Sequence, residues 1–466
     1  MARFWRLQGD EVFFVTGTDE HGQKISQTAM DCNLSPLAYV NQFNQDFRAM
    51  MKNLNISFDE FIRTTEERHC KAAQDFWKRL EASGSIYKGY YEGWYATQDE
   101  AYYHADDIVN GKAPTGAAVK WVKEECYFFR LSQWEKPLLD WYERMPESVQ
   151  PRHRRQEVLQ FVRGGLKDLA ISRSTLTWGI PVPGDAEHVI YVWVEALTGY
   201  LTSLGYPDVD SEKFQNFWPS AFHMMGKDIL RFHAVYWPAF LMAARLPLPR
   251  TVYAHGWWLM DREKMSKSLN NTLNWSDVAV YGTDALRYFL LRRAPFGEDG
   301  VFCFSAFAQH VNVDLANDLG NALHRVLSFV HKAFEGRAPI LSDLLTDHDL
   351  IQWHHRAKES LSSLMQAQKF HLYLQEVWEG VRLVNKFIDH QAPWKQDHAR
   401  QAEILKNAME ILRIIGLWIS PIMPDAAEDM LRQLGVPKER RVFAHLDTPI
   451  NSEIELPVSV PLFHRV

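Results

Sequence analysis

The sequence predicts two architectures in one chain: an α/β domain built on a parallel sheet and split by an inserted module, and behind it an all-α bundle. Three patterns carry this reading. As far as residue 304, short apolar runs ending in polar turns alternate with amphipathic helical stretches, the pattern of strands covered by helices. An aromatic, strand-like block interrupts them over 88–168. From 305 onward apolar positions recur almost only at helical spacing.

Taken in order, the chain opens on a short helix stopped by Gly9 and continues into an apolar strand at 12–15, which runs into the polar turn 16–22. Helical patterns follow at 35–54 and 64–83. The second begins with a capping box, Thr64-x-x-Glu67, and ends at Gly84. Within the interrupting block, aromatic runs at 90–95, 119–122 and 127–129 flank the Gly/Pro loop 110–114. Sheet character returns at 189–194, 222–226 and 251–254, so the α/β domain is read as 1–87 plus 169–304. Amphipathic helices are expected near 306–333, 348–367, 370–390, 401–419 and 424–434, joined by short loops, as in a helical bundle.

Composition excludes several classes of function. The 466 residues carry 51 basic and 58 acidic side chains, a net charge of −7, so any nucleic acid must be met by a local basic face. No apolar run reaches the ~20 residues that span a bilayer. The start, Met1 to Leu7, is followed by Asp10 and Glu11 and lacks the apolar core of a secretory signal, so a cytoplasmic location is expected. Cys32, Cys70, Cys126 and Cys303 lie far apart with no Cys-x-x-Cys pair, which predicts no zinc site and buried thiols in a reducing compartment.

Among motifs, Gly226-Lys227-Asp228 fails as a phosphate loop, because Ala221 stands five positions earlier and Asp228 occupies the Ser/Thr place. The strongest signal is Lys264-Met265-Ser266-Lys267-Ser268, preceded by Ala254-His255-Gly256-Trp257-Trp258. Two lysines three apart on a turn can close over a polyphosphate and neutralise charge developing there, although a short Lys/Ser run by composition alone is usually a solvated turn. Read from residue type alone, Trp193, His233 and Tyr236 are core aromatics and a satisfied histidine, and Arg173 is a surface charge.

The literal lysine loop is the signature of class I aminoacyl-tRNA synthetases. Together with Thr16-Gly17-Thr18-Asp19-Glu20-His21-Gly22, Glu92-Gly93-Trp94-Tyr95, Tyr191-Val192-Trp193, Gly226-Lys227-Asp228-Ile229, Phe232-His233, Tyr236-Trp237-Pro238 and Ala392-Pro393-Trp394, it makes the chain resemble the methionyl-tRNA synthetases over essentially its whole length. The resemblance implies a Rossmann-like catalytic domain whose first part is 1–87, a connective insertion at 88–168 without zinc ligands, a second catalytic part at 169–304 and an α-helical anticodon-binding domain at 305–466. It implies ATP-dependent activation of methionine and transfer to tRNA(Met), with magnesium entering with ATP, no zinc, no membrane partner and a monomeric state.

Residue by residue, the resemblance makes Asp19 the carboxylate for the α-ammonium of methionine, and Trp193, His233 and Tyr236 the wall around its thioether. It makes Lys264, Lys267 and Arg173 catalytic, and assigns His255, Gly256, Lys264, Ser266 and Lys267 to ATP. Asn385, Lys386 and Trp394 are assigned to the anticodon. Glu195 stands where the family more often has Asp, and Leu431 where many members have a tryptophan. The family's first strand and its His-Ile-Gly-His type motif have no counterpart, since no His-x-Gly-His occurs. The chain as numbered is therefore expected to be truncated or mis-started, with an incomplete first α/β half, and a degenerate, non-catalytic tRNA-binding paralogue is the alternative.

Overall fold

The computed structural model describes residues 1–96, 101–103, 105–260, 263–265, 271–339, 345–449 and 454–466. The chain forms two compact units, one from 13–52 and 58–255, the other from 1–12, 53–57 and 256–466.

The first unit holds the α/β elements. Strand Val15–Thr18 pairs in parallel with Glu60–Arg63, placing Gly17 opposite Ile62. A Cβ on Gly17 would lie 2.2 Å from the Ile62 carbonyl oxygen, so the strands meet only because this position has no side chain. The strand starts later than the expected 12–15. Phe13 packs its ring on Phe217, 5.5 Å between centroids, and the Phe14 N–H donates to Asp59 Oδ2 at 2.6 Å, which takes it out of a ladder. A second parallel set joins Phe222–Gly226, Thr251–His255 and Val149–Gln150. The last of these strands lies inside the stretch 88–168 yet belongs to the parallel sheet.

The expected strand at 189–194 divides. Asp185–Ile190 is strand, and Val192–Thr202 is a helix packed on helix Glu67–Ala82. Tyr191 N–H closes on the Ile171 carbonyl at 2.8 Å, and the next apolar residues wind into a first helical turn. A short apolar run looks the same in either state. Helix Glu67–Ala82 likewise starts without the expected capping box, because the Thr64 hydroxyl accepts from the Glu20 N–H at 2.9 Å instead. Phe76, Trp77, Leu201, Trp218 and Trp237 fill the core between these layers.

The inserted module is an antiparallel sheet in the order Ala101–Tyr103, Ile86–Ala96, Val119–Phe129, Leu169–Ala170, so two expected aromatic runs are one long strand. Of the four free cysteines Cys126 is buried, whereas Cys32 is exposed, against the buried reading for all four.

The second unit is mostly helical. Phe304–His310, Val311–Gly320 and Asn321–Phe334 run on as one helix with a π-helical middle, followed by His348–Gln366, Phe370–Gln391, His398–Ile419 and Pro424–Gln433. Helix His398–Ile419 is buried from Ile404 onward, and it carries its charges in a closed set. Lys406 and Arg413 reach Glu410 at 2.8 and 2.6 Å, and Arg413 also donates to the carbonyls of His445 and Leu446, as buried charges require. The opening helix Ala2–Gln8, stopped by Gly9 in the left-handed region, belongs to this unit, with Phe4 packed on Tyr373 and Phe443. The sequence reading grouped that segment with the α/β half. Among the described residues no helix is long and apolar enough to cross a membrane.

Candidate active site

In the first unit, the turn after strand Val15–Thr18 is fixed by its own polar groups. Glu20 is buried, with Oε1 accepting from Thr18 Oγ1 and Arg63 Nε, both at 2.8 Å, and Oε2 accepting from Thr65 Oγ1 at 2.5 Å. Its carbonyl accepts from Trp178 Nε1 at 2.7 Å. His21 turns inward, its Nδ1 3.2 Å from Glu195 Oε1. Asp19 remains. Its side chain is exposed and makes no hydrogen bond among the described residues, and Glu195, His69, His21 and Tyr200 lie within electrostatic reach of it. Burial, and after it the Glu195 charge, push the Asp19 carboxyl up to about 7 against the opposing pull of His69 and His21.

An aromatic cluster near this turn comes from helix Val192–Thr202 and a π-helical turn at Phe232–Tyr236, an irregularity frequent at functional sites. Trp193 stacks on Phe232 with centroids 3.8 Å apart and meets His233 edge-on at 6.1 Å; Phe232 meets Tyr236 edge-on at 5.3 Å. His233 Nδ1 donates to the Ile229 carbonyl at 3.1 Å, which leaves Nε2 to accept from the Tyr200 hydroxyl at 2.8 Å. Burial lowers its basicity to about 4, more than the carbonyl bond raises it, so the ring is neutral. Tyr200 in turn feels the charge of Asp19. The structure thus brings Asp19, Trp193, His233 and Tyr236 to one region, and adds Tyr200, Phe232, His69 and His21, which the sequence reading missed. Tyr200 lies two turns after Trp193 on one helix, a spacing hidden by reading 189–194 as strand.

Arg173 is buried, not a surface charge. Its guanidinium lies over the rings of Tyr191 and Tyr95, 4.5 and 5.8 Å from their centroids, and Nη1 donates to the Ser172 carbonyl at 2.8 Å. With His21, Gly22 and Trp178 it lines a small cavity bounded also by Tyr191 and Val192. His255 ends strand Thr251–His255 of this unit.

In the second unit, Gly256 lies so close to the chain that a Cβ would stand 2.1 Å from the Glu298 carbonyl oxygen. Lys264 is exposed on a short hairpin with Nζ 4.1 Å from the centre of the Trp257 ring. Ser266 and Lys267 lie outside the described residues. In the bundle, Lys386 is exposed and Trp394 is 49 % exposed, both open to a partner. Asn385 differs: its amide donates to the carbonyls of Asp318 and Val381 at 3.0 and 3.1 Å, so both donors are committed to packing. Leu431 is buried in the core. Among the described residues no group of histidine, cysteine and acidic side chains could hold a metal ion.

The family model described as tRNA synthetases class I (M) matches residues 1–120 and 105–327, and the anticodon binding domain of methionyl tRNA ligase matches 343–451. The methionine–tRNA ligase of Rickettsia bellii is 47% identical, across 96% of this chain and 89% of that protein. The chain belongs to the methionyl-tRNA synthetase family. Its relative from Brucella suis is 46% identical over 100% of this chain and 92% of its own length. The methionyl-tRNA synthetase of Mycobacterium tuberculosis, solved bound by methionyl-adenylate, superposes with a TM-score of 0.95 at 41% identity, over 99% of this chain and 94% of that one. As a member of the methionyl-tRNA synthetase family the chain is an aminoacyl-tRNA ligase, with a class I catalytic domain and a helical anticodon-binding domain.

Proposed function

We propose that the protein activates methionine with ATP, supplied as its magnesium complex, and transfers the methionyl group to tRNA(Met). The observation that carries this is the pairing of an aromatic cluster holding a neutral histidine with one nearby carboxylate that has no hydrogen-bonding partner among the described residues. A thioether is polarizable and nearly apolar, so it is best enclosed by aromatic faces and an uncharged imidazole; Trp193, His233 and Tyr236 supply these. Asp19 receives the α-ammonium. A methionine carboxylate oxygen attacks the α-phosphorus of ATP and pyrophosphate leaves. A ribose hydroxyl of the terminal tRNA adenosine then attacks the methionyl carbonyl and AMP leaves.

The protein forms no bond in this scheme. It orients the reactants and meets the charge spread over the phosphates, through Arg173, Lys264 and Lys267, with His255, Gly256 and Ser266 completing the ATP contacts. Lys386 and Trp394 suit an unstacked anticodon base, one by charge and the other by its open ring, while Asn385 offers only its acceptor oxygen. We read 88–168 as the connective module and 305–466 as the anticodon-binding region, in a monomeric cytoplasmic enzyme.

Charging of tRNA(Met) transcript by the full-length protein tests this reading. Lys264→Ala should slow the first-turnover rate by about 10²–10³ while methionine binding holds. A Lys264→Ala protein that charges at the wild-type rate contradicts the assignment of the lysine loop.

A further inference from the structure

The turn that carries Asp19 is pinned by the two residues that follow it, and the two pins lead to different elements. Glu20 ties it to strand Glu60–Arg63 and the residues just beyond, through Arg63 and Thr65. His21 ties it to helix Val192–Thr202. There the wholly buried Glu195 meets His21 Nδ1 at 3.2 Å with Oε1 and His69 Nε2 at 3.0 Å with Oε2. Burial pushes the Glu195 carboxyl up, but the hydrogen bonds from the two imidazoles outweigh it and hold the group below the ordinary carboxylate range, so both oxygens accept. His69, from helix Glu67–Ala82, also meets Thr202 Oγ1 at 3.0 Å through Nδ1, so two positions of one helix grip the same ring. With both oxygens engaged, Glu195 cannot turn toward a ligand. Among the described residues, His21 to Glu195 is the one hydrogen bond between the turn 16–22 and helix Val192–Thr202.

That helix bears Trp193 at its start and Tyr200 two turns later, and Tyr200 holds His233 at 2.8 Å. One buried side chain therefore joins the element that carries Asp19 to the element that carries the aromatic cluster. An amino acid with its ammonium on Asp19 and its side-chain end against Trp193 spans the gap between these two elements, and their register sets that span. We propose that Glu195 is a positioning residue that fixes the side-chain length the site accepts: clamped between His21 and His69, it holds the ammonium acceptor at one distance from the aromatic wall. This rests on the reading of Asp19 as the ammonium acceptor and of Trp193 and His233 as the thioether wall. A carboxamide at 195 has the same size but one acceptor oxygen in place of two, so one imidazole would lose its partner and the turn could shift against the helix. A misplacement of about 1 Å in such a constellation costs on the order of 10²-fold.

ATP–pyrophosphate exchange by the full-length protein tests this, with L-methionine, L-ethionine, which is one methylene longer at the sulfur, and S-methyl-L-cysteine, which is one methylene shorter in the stem. Wild type should prefer methionine over each analogue in kcat/KM by roughly 10–200-fold, the usual worth of one methylene in an apolar pocket. In Glu195→Gln the KM for methionine should rise about tenfold with the KM for ATP unchanged, and the preference over at least one analogue should fall by about tenfold. His21→Asn cuts the same link from the turn side, so the double variant should be no worse than the worse single one. Glu195→Asp, which keeps two acceptor oxygens and the charge, should discriminate better than Glu195→Gln. Loss of kcat/KM by one common factor for all three amino acids would reduce Glu195 to a brace of the fold and overturn the proposal, as would unchanged kinetics or a wild type that uses all three alike. Asp19→Asn tells the two failures apart. Methionine use at the wild-type level in that variant sinks the ammonium reading, whereas a large loss there, beside wild-type discrimination in Glu195→Gln, leaves that reading standing and removes the role of Glu195. Should Glu195→Gln not fold, His21→Asn alone is compared with wild type, and the same two outcomes decide.

Discussion

His223 and His233 lie uncharged in the aromatic cluster because burial, foremost, lowers their basicity to about 3 and about 4. His223 Nε2 accepts from Trp237 Nε1 at 3.2 Å, a bond that only the neutral ring can take. Both values lie below the ~6.5 of an unfolded histidine, so the unfolded chain binds more protons in the acid range. The stability these rings contribute is complete above pH ~6.5 and is lost as pH falls toward the folded values, by on the order of 2 kcal/mol per ring at pH 4.5. Urea unfolding at pH 7 and pH 4.5 should register this loss, and His223→Gln should flatten the slope. An identical slope in wild type and variant contradicts it. From residue type alone His233 reads as a satisfied core histidine, and His223 stands out only as part of the strand at 222–226. What residue type could not show is that His233 presents an acceptor to Tyr200, since that depends on which ring nitrogen the Ile229 carbonyl takes.

At the scale of elements, helix crossings rest on the absence of side chains at a few positions. A Cβ on Gly380, in helix Phe370–Gln391, would stand 2.3 Å from the buried ring of Trp353, whose Nε1 is tied to the Glu376 carbonyl at 3.0 Å. Neither ring nor helix can yield cheaply, so Gly380→Ala should destabilise the bundle by about 1–3 kcal/mol despite the better helix former, read as a lower denaturant midpoint with unchanged slope. A raised midpoint would show that the crossing relaxes. The bundle itself was legible, since its five stretches of helical periodicity match the observed helices to within a few residues. The α/β half was legible in its strands at 222–226 and 251–254 but not at 189–194, where an apolar run changes from strand to helix at Tyr191. Thr64-x-x-Glu67 had the correct pattern and the wrong partner. A tertiary donor, Glu20 N–H, reached the hydroxyl first.

For the molecule as a whole, the two units divide the chemistry between them. One carries Asp19, Arg173 and the aromatic cluster, the other Lys264 and the bundle with Lys386 and Trp394. The family was legible because its motifs are literal strings; the network behind Asp19 was not, because His21, His69 and Glu195 are far apart in sequence and meet only through the fold. In the proposed function, Trp193, His233 and Tyr236 select methionine by aromatic enclosure of its thioether. Amino-acid-dependent ATP–pyrophosphate exchange by the full-length protein, run in parallel on wild type and Trp193→Ala, tests it most directly. Exchange with methionine should lie far above that with leucine or cysteine, and Trp193→Ala should raise the KM for methionine about tenfold, about 1.4 kcal/mol, with the KM for ATP unchanged. Equal exchange with leucine or cysteine, or an unaltered methionine KM in the variant, would contradict it.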